Sequence, residues 1–347
     1  MRHKKMMLTA GILAAALMFS MTACGKKAEE PSPAPTPAPV VTEAPTPEPT
    51  PIEEAEEEPV DVDPELIDEP MPTPEPTPEP TPEPTPEPAP EPAAPYANGQ
   101  PIGLDPNWRF ADRVKIGSGQ AIMYTAESNR KGIIVGVNAG HGTSGGSDVK
   151  TLCHPDGTPK VTGGTTGAGK TEAVAVSSGM DFRDGTPEKQ VTLTMARILR
   201  DKLLAQGYDV LMIRDGDDVQ LDNIARTVIC NNVASCHIAL HWDGDGLDYD
   251  KGCFYMGVPD GLKSMDPVSG VWQQHENLGT SLINGLRGNG VAIFESGRMD
   301  MDLTQTSYST VPSVDIELGN AASDHSEGYM NQQADGLVAG INAFFGV

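Results

Sequence analysis

The sequence lacks the marks of several common classes of protein. It contains no basic stripe, and its 49 acids outnumber the 24 Lys and Arg residues, so a nucleic-acid partner is not expected. None of its five cysteines belongs to a CxxC pair, which argues against a zinc site built from cysteines. The apolar run Met6–Phe19 is too short for a comfortable membrane span. We therefore expect any membrane attachment to use something other than a spanning helix.

Four of the cysteines lie in the C-terminal part of the chain, at Cys153, Cys230, Cys236 and Cys253. Outside the cytoplasm they are compatible with one or two disulfides. Spacing alone does not give the pairing, and four free, buried thiols are an equally fair interpretation.

The N-terminal residues have the layout of a secretory leader. Three basic residues precede the apolar run, small residues follow it, and residues 1–24 contain no acid, as signal peptides do. The word Met21-Thr22-Ala23-Cys24 then resembles the lipobox of bacterial lipoproteins, although that family usually has Leu where this sequence has Met21. The resemblance implies a signal peptide over residues 1–23, a lipid on Cys24, and an extracytoplasmic protein attached to the cell membrane by that lipid alone. The alternative is an ordinary cleaved leader with a chance cysteine.

Residues 24–95 are predicted to be a disordered tether. Between Pro31 and Pro95 lie 24 of the 32 prolines and no aromatic residue, and the unit PTPEP recurs. Acidic sequence with few apolar residues cannot bury enough surface to offset its ordering entropy, and its prolines favour an extended polyproline II chain. At roughly 3.1 Å per residue the segment would reach about 200 Å, the scale of a thick cell wall. A generic stalk is also compatible with this composition.

Residues 132–347 alternate strand and helix patterns. Apolar, β-branched runs bounded by glycine, of which Ile133–Val137 is the first, predict buried strands. Segments such as Leu221–Ile229 place apolar residues at helical spacing. The alternation predicts an α/β fold, a single domain with a mostly parallel central sheet and helices on both faces. Residues 96–131 are predicted to be an N-terminal extension of the domain, with a hairpin formed by Val114–Ile116 and Ala121–Tyr124.

A glycine- and threonine-rich segment, residues 143–185 (the insertion), follows the first core strand. A connection of this length in a compact domain is usually functional or partly folded, and we hypothesise that it gates access to the site. Within it, Gly164–Thr171 fits the phosphate-loop pattern G-x-x-x-x-G-K-[ST]. That pattern requires a hydrophobic strand before it and a helix after it, and neither is predicted here. We therefore expect no nucleotide partner.

Four side chains are predicted to meet at the carboxyl edge of the sheet. His141 follows the first core strand, His241 closes another strand, and Glu188 lies in the first turn of a helix. Open α/β sheets bind ligands beyond the carboxyl ends of their strands. Hydrolytic zinc sites use three His or carboxylate ligands and leave one position for water, so these three residues are candidate ligands. Glu317, which closes a later strand, is placed to act beside that water as a general base.

Each of these residues also has an ordinary structural explanation. Glu188 could simply interact with the helix dipole, His241 could bond a backbone carbonyl, and Glu317 could pair with a buried arginine. His237 lies on the same strand face as His241, but four residues along a strand span roughly 13 Å. It therefore cannot share the metal and is expected to pack in the core.

The words around these residues resemble the zinc-dependent N-acetylmuramoyl-L-alanine amidases of the third amidase family. That family has a strand followed by GHG, a glutamate-lysine pair that opens a helix, a strand ending in S-x-H, and a late E-x-G after a proline. The matching motifs run in the family's order across about Gly132–Val347. They are Ala139–Gly142, Glu188-Lys189, Leu240-His241 and Pro312–Gly319. Single residues that also match are Arg214, Asp218, Leu221, Arg226 and Asn231.

The resemblance implies that His141, Glu188 and His241 bind Zn²⁺ and that Glu317 is catalytic. It implies a peptidoglycan hydrolase that cleaves the amide bond between N-acetylmuramic acid and the L-alanine of the stem peptide, using zinc-activated water. Two alternatives stay open: a degenerate domain that binds peptidoglycan without turnover, and another zinc peptidase that acts within stem peptides. Metal analysis tests the first, and mass spectrometry of a peptidoglycan digest tests the second.

Departures from the family pattern leave stem-peptide specificity open. Ala239 replaces the serine of S-x-H, Asn320 replaces the usual aromatic residue after E-x-G, and Asp243 lies near the position of a family asparagine. The insertion is also longer than the short loop of the family.

Overall fold

The computed structural model describes residues 95–347. The predicted signal peptide, the lipidation site Cys24 and all but the last residue of the predicted tether lie outside the described residues. Within residues 95–347, no helix is long and apolar enough to cross a membrane. The strands are β1 (Gln100–Gly103), β2 (Gln120–Tyr124), β3 (Ile134–Ala139), β4 (Lys150–Leu152), β5 (Glu172–Val174), β6 (Asp209–Met212), β7 (Cys236–Asp243), β8 (Cys253–Gly257), β9 (Ile293–Asp300) and β10 (Ser313–Asn320). The helices are α1 (Glu188–Ala205), α2 (Asn223–Val233), α3 (Trp272–Gly288), α4 (Thr304–Tyr308) and α5 (Glu327–Phe345).

Eight strands form one mixed, mostly parallel sheet in the order β1-β2-β6-β3-β7-β10-β8-β9. The central strands β6, β3, β7 and β10 are parallel to their neighbours in that group. At the edges, β1 and β2 are antiparallel, and β8 is antiparallel to β10 but parallel to β9. Because the four central strands point the same way, their carboxyl ends meet at one edge of the sheet, which is where ligands of such folds bind.

Helices cover both faces of the sheet. Helices α1, α3 and α5 pack on one face, and the shorter α2 and α4 lie on the other. Alternation along β3 explains this division, because Val135 and Val137 join the large core under α1 and α5, whereas Ile134 joins the smaller core that includes Ile229 of α2. Burial on both faces of the strand is what its unbroken apolar run predicts. The predicted α/β fold is confirmed.

The predicted hairpin of the N-terminal extension is wrong in its pairing. Strand β2 pairs with β1 and with β6, and Val114–Ile116 is not part of the sheet. The backbone N–H groups of Lys115 and Ile116 instead donate to Asp222 Oδ2, and the same side chain caps α2 by accepting from Ala225 N. This N-cap carboxylate therefore fixes the segment that sequence pattern alone assigned to a strand.

The insertion is partly folded. Strands β4 and β5 form a two-stranded antiparallel sheet within it, and the phosphate-loop word runs into β5 rather than into a helix. Cys153, Cys230, Cys236 and Cys253 are free and buried, which agrees with the interpretation that has no disulfide.

Candidate metal centre

The carboxyl edge of the sheet brings three candidate ligands together. His141 follows β3, His241 lies near the end of β7, and Glu188 is the first residue of α1. Glu188 Oε1 lies 2.8 Å from His141 Nε2 and 3.2 Å from His241 Nδ1, and these two nitrogens are 3.0 Å apart. We call these three residues the metal group. Within residues 95–347, no other group of three or more His, Cys, Asp or Glu side chains converges closely enough to bind a metal ion.

The backbone around His141 is held by two buried arginines. His141 has a φ of 64°, a left-handed conformation that is uncommon for residues other than glycine. Arg214 donates to the carbonyl oxygens of Ala139 and Gly140, and Arg226 donates to those of Ala139 and His141. Burial lowers the pKa values of Arg214 and Arg226 to about 10 and about 9, so both remain charged at neutral pH. Their hydrogen bonds stabilise a loop conformation that would otherwise be strained.

Glycine at position 140 is required by the close approach of His241. A Cβ atom built on Gly140 would lie 2.3 Å from Cε1 of the His241 ring and 2.6 Å from both ring nitrogens. Carbon atoms in contact normally lie about 3.5–4.0 Å apart. The glycine before His141 therefore lets β3 and β7 bring the two imidazoles together, as expected from a backbone that approaches something closely.

Glu188 is buried and its carboxylate is fixed by backbone donors. Trp242 N–H donates to Oε1 at 3.0 Å and Met180 N–H donates to Oε2 at 3.0 Å. Burial raises the pKa of Glu188, but hydrogen bonds from His141 and His241 outweigh it and hold the value far below the ordinary one. Glu188 is therefore an anion at neutral pH, as a metal ligand must be.

The two histidines present opposite ring nitrogens to the metal group. His141 Nδ1–H donates to the Ser177 carbonyl at 2.8 Å, which leaves Nε2 with a free lone pair. His241 points Nδ1 at the group, and its Nε2 faces Asp315 Oδ2 at 3.8 Å. A neutral imidazole has one N–H and one lone pair, and the partner of the N–H decides which nitrogen can bind a metal.

The donor set fits zinc. Two imidazole nitrogens and one carboxylate oxygen converge within 4.8 Å of one another, and such sets hold Zn²⁺ in hydrolytic sites with one position left for water. Burial lowers the pKa of His241, but the charges of Asp315 and Glu188 outweigh it and raise the value to about 10. The environment of this nitrogen therefore strongly favours a positive charge, which a bound cation would supply in place of the proton.

The metal group opens into a cavity of about 570 Å³. Its wall includes Asp315 and Glu317 of β10, Arg226 of α2, Leu303–Gln305, and Gly164 and Thr165 of the insertion. Glu317 is the register partner of His241 across the β7–β10 ladder, so their Cα atoms lie about 4.8 Å apart. One oxygen of Glu317, Oε2, is buried with no hydrogen-bond partner. Burial, with the charge of Asp315 beside it, raises the pKa of Glu317 well above its ordinary value.

Other predicted features lie outside the metal group. His237 is fully buried in the sheet and neither ring nitrogen has a hydrogen-bond partner, as expected for a packing residue. Ala239 is the register partner of Asp315, Asn320 donates to Asp245 and to the Tyr249 carbonyl, and Asp243 pairs with Lys251. Of these three departures from the family pattern, Asp243 alone lines the cavity, and none alters the three candidate ligands.

Sequence reasoning missed Asp315 and the supporting role of the insertion. The Ser177 carbonyl and the Met180 N–H both lie in the insertion, and backbone groups leave no signal in residue type. Asp315 did leave a signal, because it is a second acid two residues before Glu317 on a strand whose other face is Val314, Ile316 and Leu318.

Comparisons with known proteins identify a family and a fold. The N-acetylmuramoyl-L-alanine amidase family, Amidase_3, matches residues 135–342. The crystal structure of the N-acetylmuramyl-L-alanine amidase Ami1 from Mycobacterium smegmatis is 20% identical, with a TM-score of 0.53, covering 63% of this chain and 99% of that chain. The apo form of Ami1 from Mycobacterium abscessus is 21% identical, with a TM-score of 0.52, covering 62% of this chain and 99% of that one. At these identities the two structures are similar in fold.

A comparison with curated proteins finds no relative of this chain. The family match, by contrast, covers more than half of the chain and includes every strand that supplies the metal group. The chain belongs to the family of zinc-dependent N-acetylmuramoyl-L-alanine amidases, the enzymes that hydrolyse peptidoglycan at the amide bond between N-acetylmuramic acid and L-alanine.

Proposed function

We propose that His141, Glu188 and His241 bind the catalytic zinc ion of this amidase and that Glu317 is its general base. The observation that carries the proposal is the convergence of two ring nitrogens on one oxygen of Glu188, at 2.8 and 3.2 Å, at the mouth of a cavity that Glu317 also lines. Zinc bound there supplies a Lewis acid that polarises the scissile carbonyl and lowers the pKa of a bound water towards about 7.

Glu317 and Arg226 take the other roles in the proposed mechanism. Glu317 accepts a proton from the attacking water and passes it to the leaving nitrogen of L-alanine. Its raised pKa suits this role, because a base works best when its pKa lies near the operating pH. Its carboxyl group belongs to the wall of the cavity, which places it beside a water bound there. Arg226, committed to backbone carbonyls, contributes positive potential to the cavity wall.

A Glu317→Gln variant tests the general base. The amide keeps the shape of the side chain but cannot accept the proton, so we expect zinc content to be unchanged while muropeptide release falls by roughly 10²–10⁴-fold. The assay is digestion of purified peptidoglycan followed by mass spectrometry, because an amidase releases intact stem peptides that begin with alanine. Full activity in the variant would remove Glu317 from the mechanism, and fragments cut within the stem peptide would indicate a peptidase instead.

We further propose that the chain is a lipoprotein that acts on the cell wall from the membrane. The support is the lipobox-like word before Cys24, the preceding leader and the proline-rich tether of residues 24–95. Peptidoglycan lies outside the cytoplasm, so a leader, a lipid and a spacer of about 200 Å would place the catalytic domain where its substrate is.

A Cys24→Ala variant tests the anchor. Without the thiol no diacylglyceryl group can be attached, so we expect the variant to incorporate no labelled fatty acid when it is produced in cells fed with one, with its activity in solution unchanged. Incorporation of the label by Cys24→Ala at the wild-type level would contradict the lipid anchor.

A further inference from the structure

We propose that Asp315 is a positioning residue for the metal group, accepting a hydrogen bond from His241 Nε2–H and so strengthening His241 Nδ1 as a zinc ligand. This inference rests on the proposed binding of zinc by His141, Glu188 and His241.

The orientation of the His241 ring sets the requirement. Nδ1 lies 3.0 Å from His141 Nε2 and 3.2 Å from Glu188 Oε1, so Nδ1 is the nitrogen directed at the metal position. A neutral imidazole that binds a metal through one nitrogen carries its proton on the other. The His241 proton therefore sits on Nε2, and something must accept it.

Asp315 is the acceptor that the fold supplies. Its Oδ2 lies 3.8 Å from His241 Nε2, and its side chain is only 14% exposed. This distance exceeds the usual upper limit of about 3.2 Å for an N–H···O hydrogen bond by about 0.6 Å, a gap that a small rotation of the carboxylate closes. The register places Asp315 opposite Ala239, two pairs before His241 and on the same face of the sheet, so the small alanine side chain leaves the carboxylate beside the ring.

Asp315 has no competing role among the described residues. Its Oδ1 is buried with no hydrogen-bond partner, and its one ion-pair contact within residues 95–347 is with His241. A buried carboxylate with no partner would be costly to the fold, so the contact with His241 has to offset that cost. Asp243, by contrast, belongs to the same cavity but is ion-paired with Lys251.

The two histidines would consequently be unequal ligands. His141 donates its Nδ1–H to a neutral carbonyl, that of Ser177, whereas His241 faces a carboxylate. An anionic acceptor makes the imidazole more basic and fixes its ring, and losing such a partner typically costs 10–100-fold in metal affinity.

The test measures zinc affinity directly, by chelator competition on the full-length protein. We expect Asp315→Asn, which keeps an acceptor but loses the charge, to weaken zinc binding by about 10-fold, and Asp315→Leu, which removes the acceptor, to weaken it by about 100-fold. Asp243→Asn is the matched control, because it removes a negative charge from the same cavity without facing His241. It should change the affinity by less than either Asp315 variant.

Two further measurements separate positioning from a purely structural role. The visible absorption of the Co²⁺-substituted protein should shift in the Asp315 variants and stay unchanged in Asp243→Asn. Thermal stability of the metal-free protein should fall no further in Asp315→Asn than in Asp243→Asn, because each variant removes one ion-pair contact of a cavity carboxylate. A residue that merely supports the fold would lower stability and affinity together.

The outcomes are distinguishable. If the wild-type protein binds no zinc, the proposed metal group itself is wrong. If the wild type binds zinc and both Asp315 variants bind it equally well, or if Asp243→Asn weakens binding as much as Asp315→Asn, only the positioning role of Asp315 is overturned.

Discussion

Gly140→Ala should inactivate the enzyme through one added carbon atom. The new Cβ would lie 2.3 Å from His241 Cε1, whereas carbon contacts normally need at least about 3.5 Å. The ring must therefore move by roughly 1.2 Å, while zinc sites keep their ligand distances within about 0.2 Å. Gly140 does not have a positive φ, so alanine fits the backbone and the effect is confined to the His241 ring.

The expected magnitudes follow from that displacement. A misplacement of about 1 Å costs roughly 100-fold in rate, and overpacking a buried site costs about 1–3 kcal/mol of unfolding free energy. We expect amidase activity to fall at least about 100-fold, with zinc affinity at least about 10-fold weaker, since one of three ligands moves out of place.

The assay compares zinc binding and stem-peptide release in Gly140→Ala and in Gly216→Ala. Gly216 lies in the loop after β6, has no atom within 4 Å of its built Cβ and has no positive φ, so its alanine variant should behave as the wild type. If Gly140→Ala retained wild-type zinc affinity and rate, the close packing of β3 against the His241 ring would not control the site.

Three further outcomes are expected. Burial lowers the pKa values of His237 and His275 to about 3 and about 4 from the ordinary 6.5. The unfolded chain therefore binds more protons than the folded chain between roughly pH 6.5 and 4. The free energy of unfolding is highest above about pH 6.5 and falls as the pH drops below it. Melting curves at pH 7, 6 and 5 measure this decline, and His237→Leu should flatten it. Asp302→Asn weakens the buried contact, 2.9 Å long, between Asp302 and His154 of the insertion, and we expect it to lower the free energy of unfolding by about 3–5 kcal/mol. Amide hydrogen exchange in the insertion should accelerate in this variant. Asp260→Asn, at an exposed position, should leave that exchange unchanged. Removing zinc with a chelator should lower the melting temperature, because a ligand at 100 times its dissociation constant adds about 2.7 kcal/mol to the free energy of unfolding. An identical melting curve with and without metal would contradict zinc binding to the folded state.

The hydrophobic periodicity of short segments, together with the sequence motifs of the amidase family, predicted most of the fold and the candidate ligands. The strand β3 begins with the apolar run Ile134–Val137, and Glu188 opens a helix whose apolar face repeats at helical spacing. Because the carboxyl ends of parallel strands share one edge, His141 and His241 could be assigned to one place before any coordinates. The three candidate ligands do converge there.

Long-range contacts made by single groups were not predictable. The position of residues 114–116 depends on a capping carboxylate, Asp222, which lies 106 and 107 residues from the backbone groups that it accepts from. The contact between His154 and Asp302 joins residues 148 apart. Neither contact leaves a periodicity or a motif in the sequence, so each can be explained physically only after the fold is known.

The insertion combines two tasks that are usually separate. Through Gly164 and Thr165 it shapes the wall that a substrate would meet, and through the Ser177 carbonyl and the Met180 N–H it orients two of the candidate zinc ligands. A redesign of substrate preference that exchanges this loop must therefore keep residues 177–180 intact, since a graft that lacks them would also loosen the proposed zinc site.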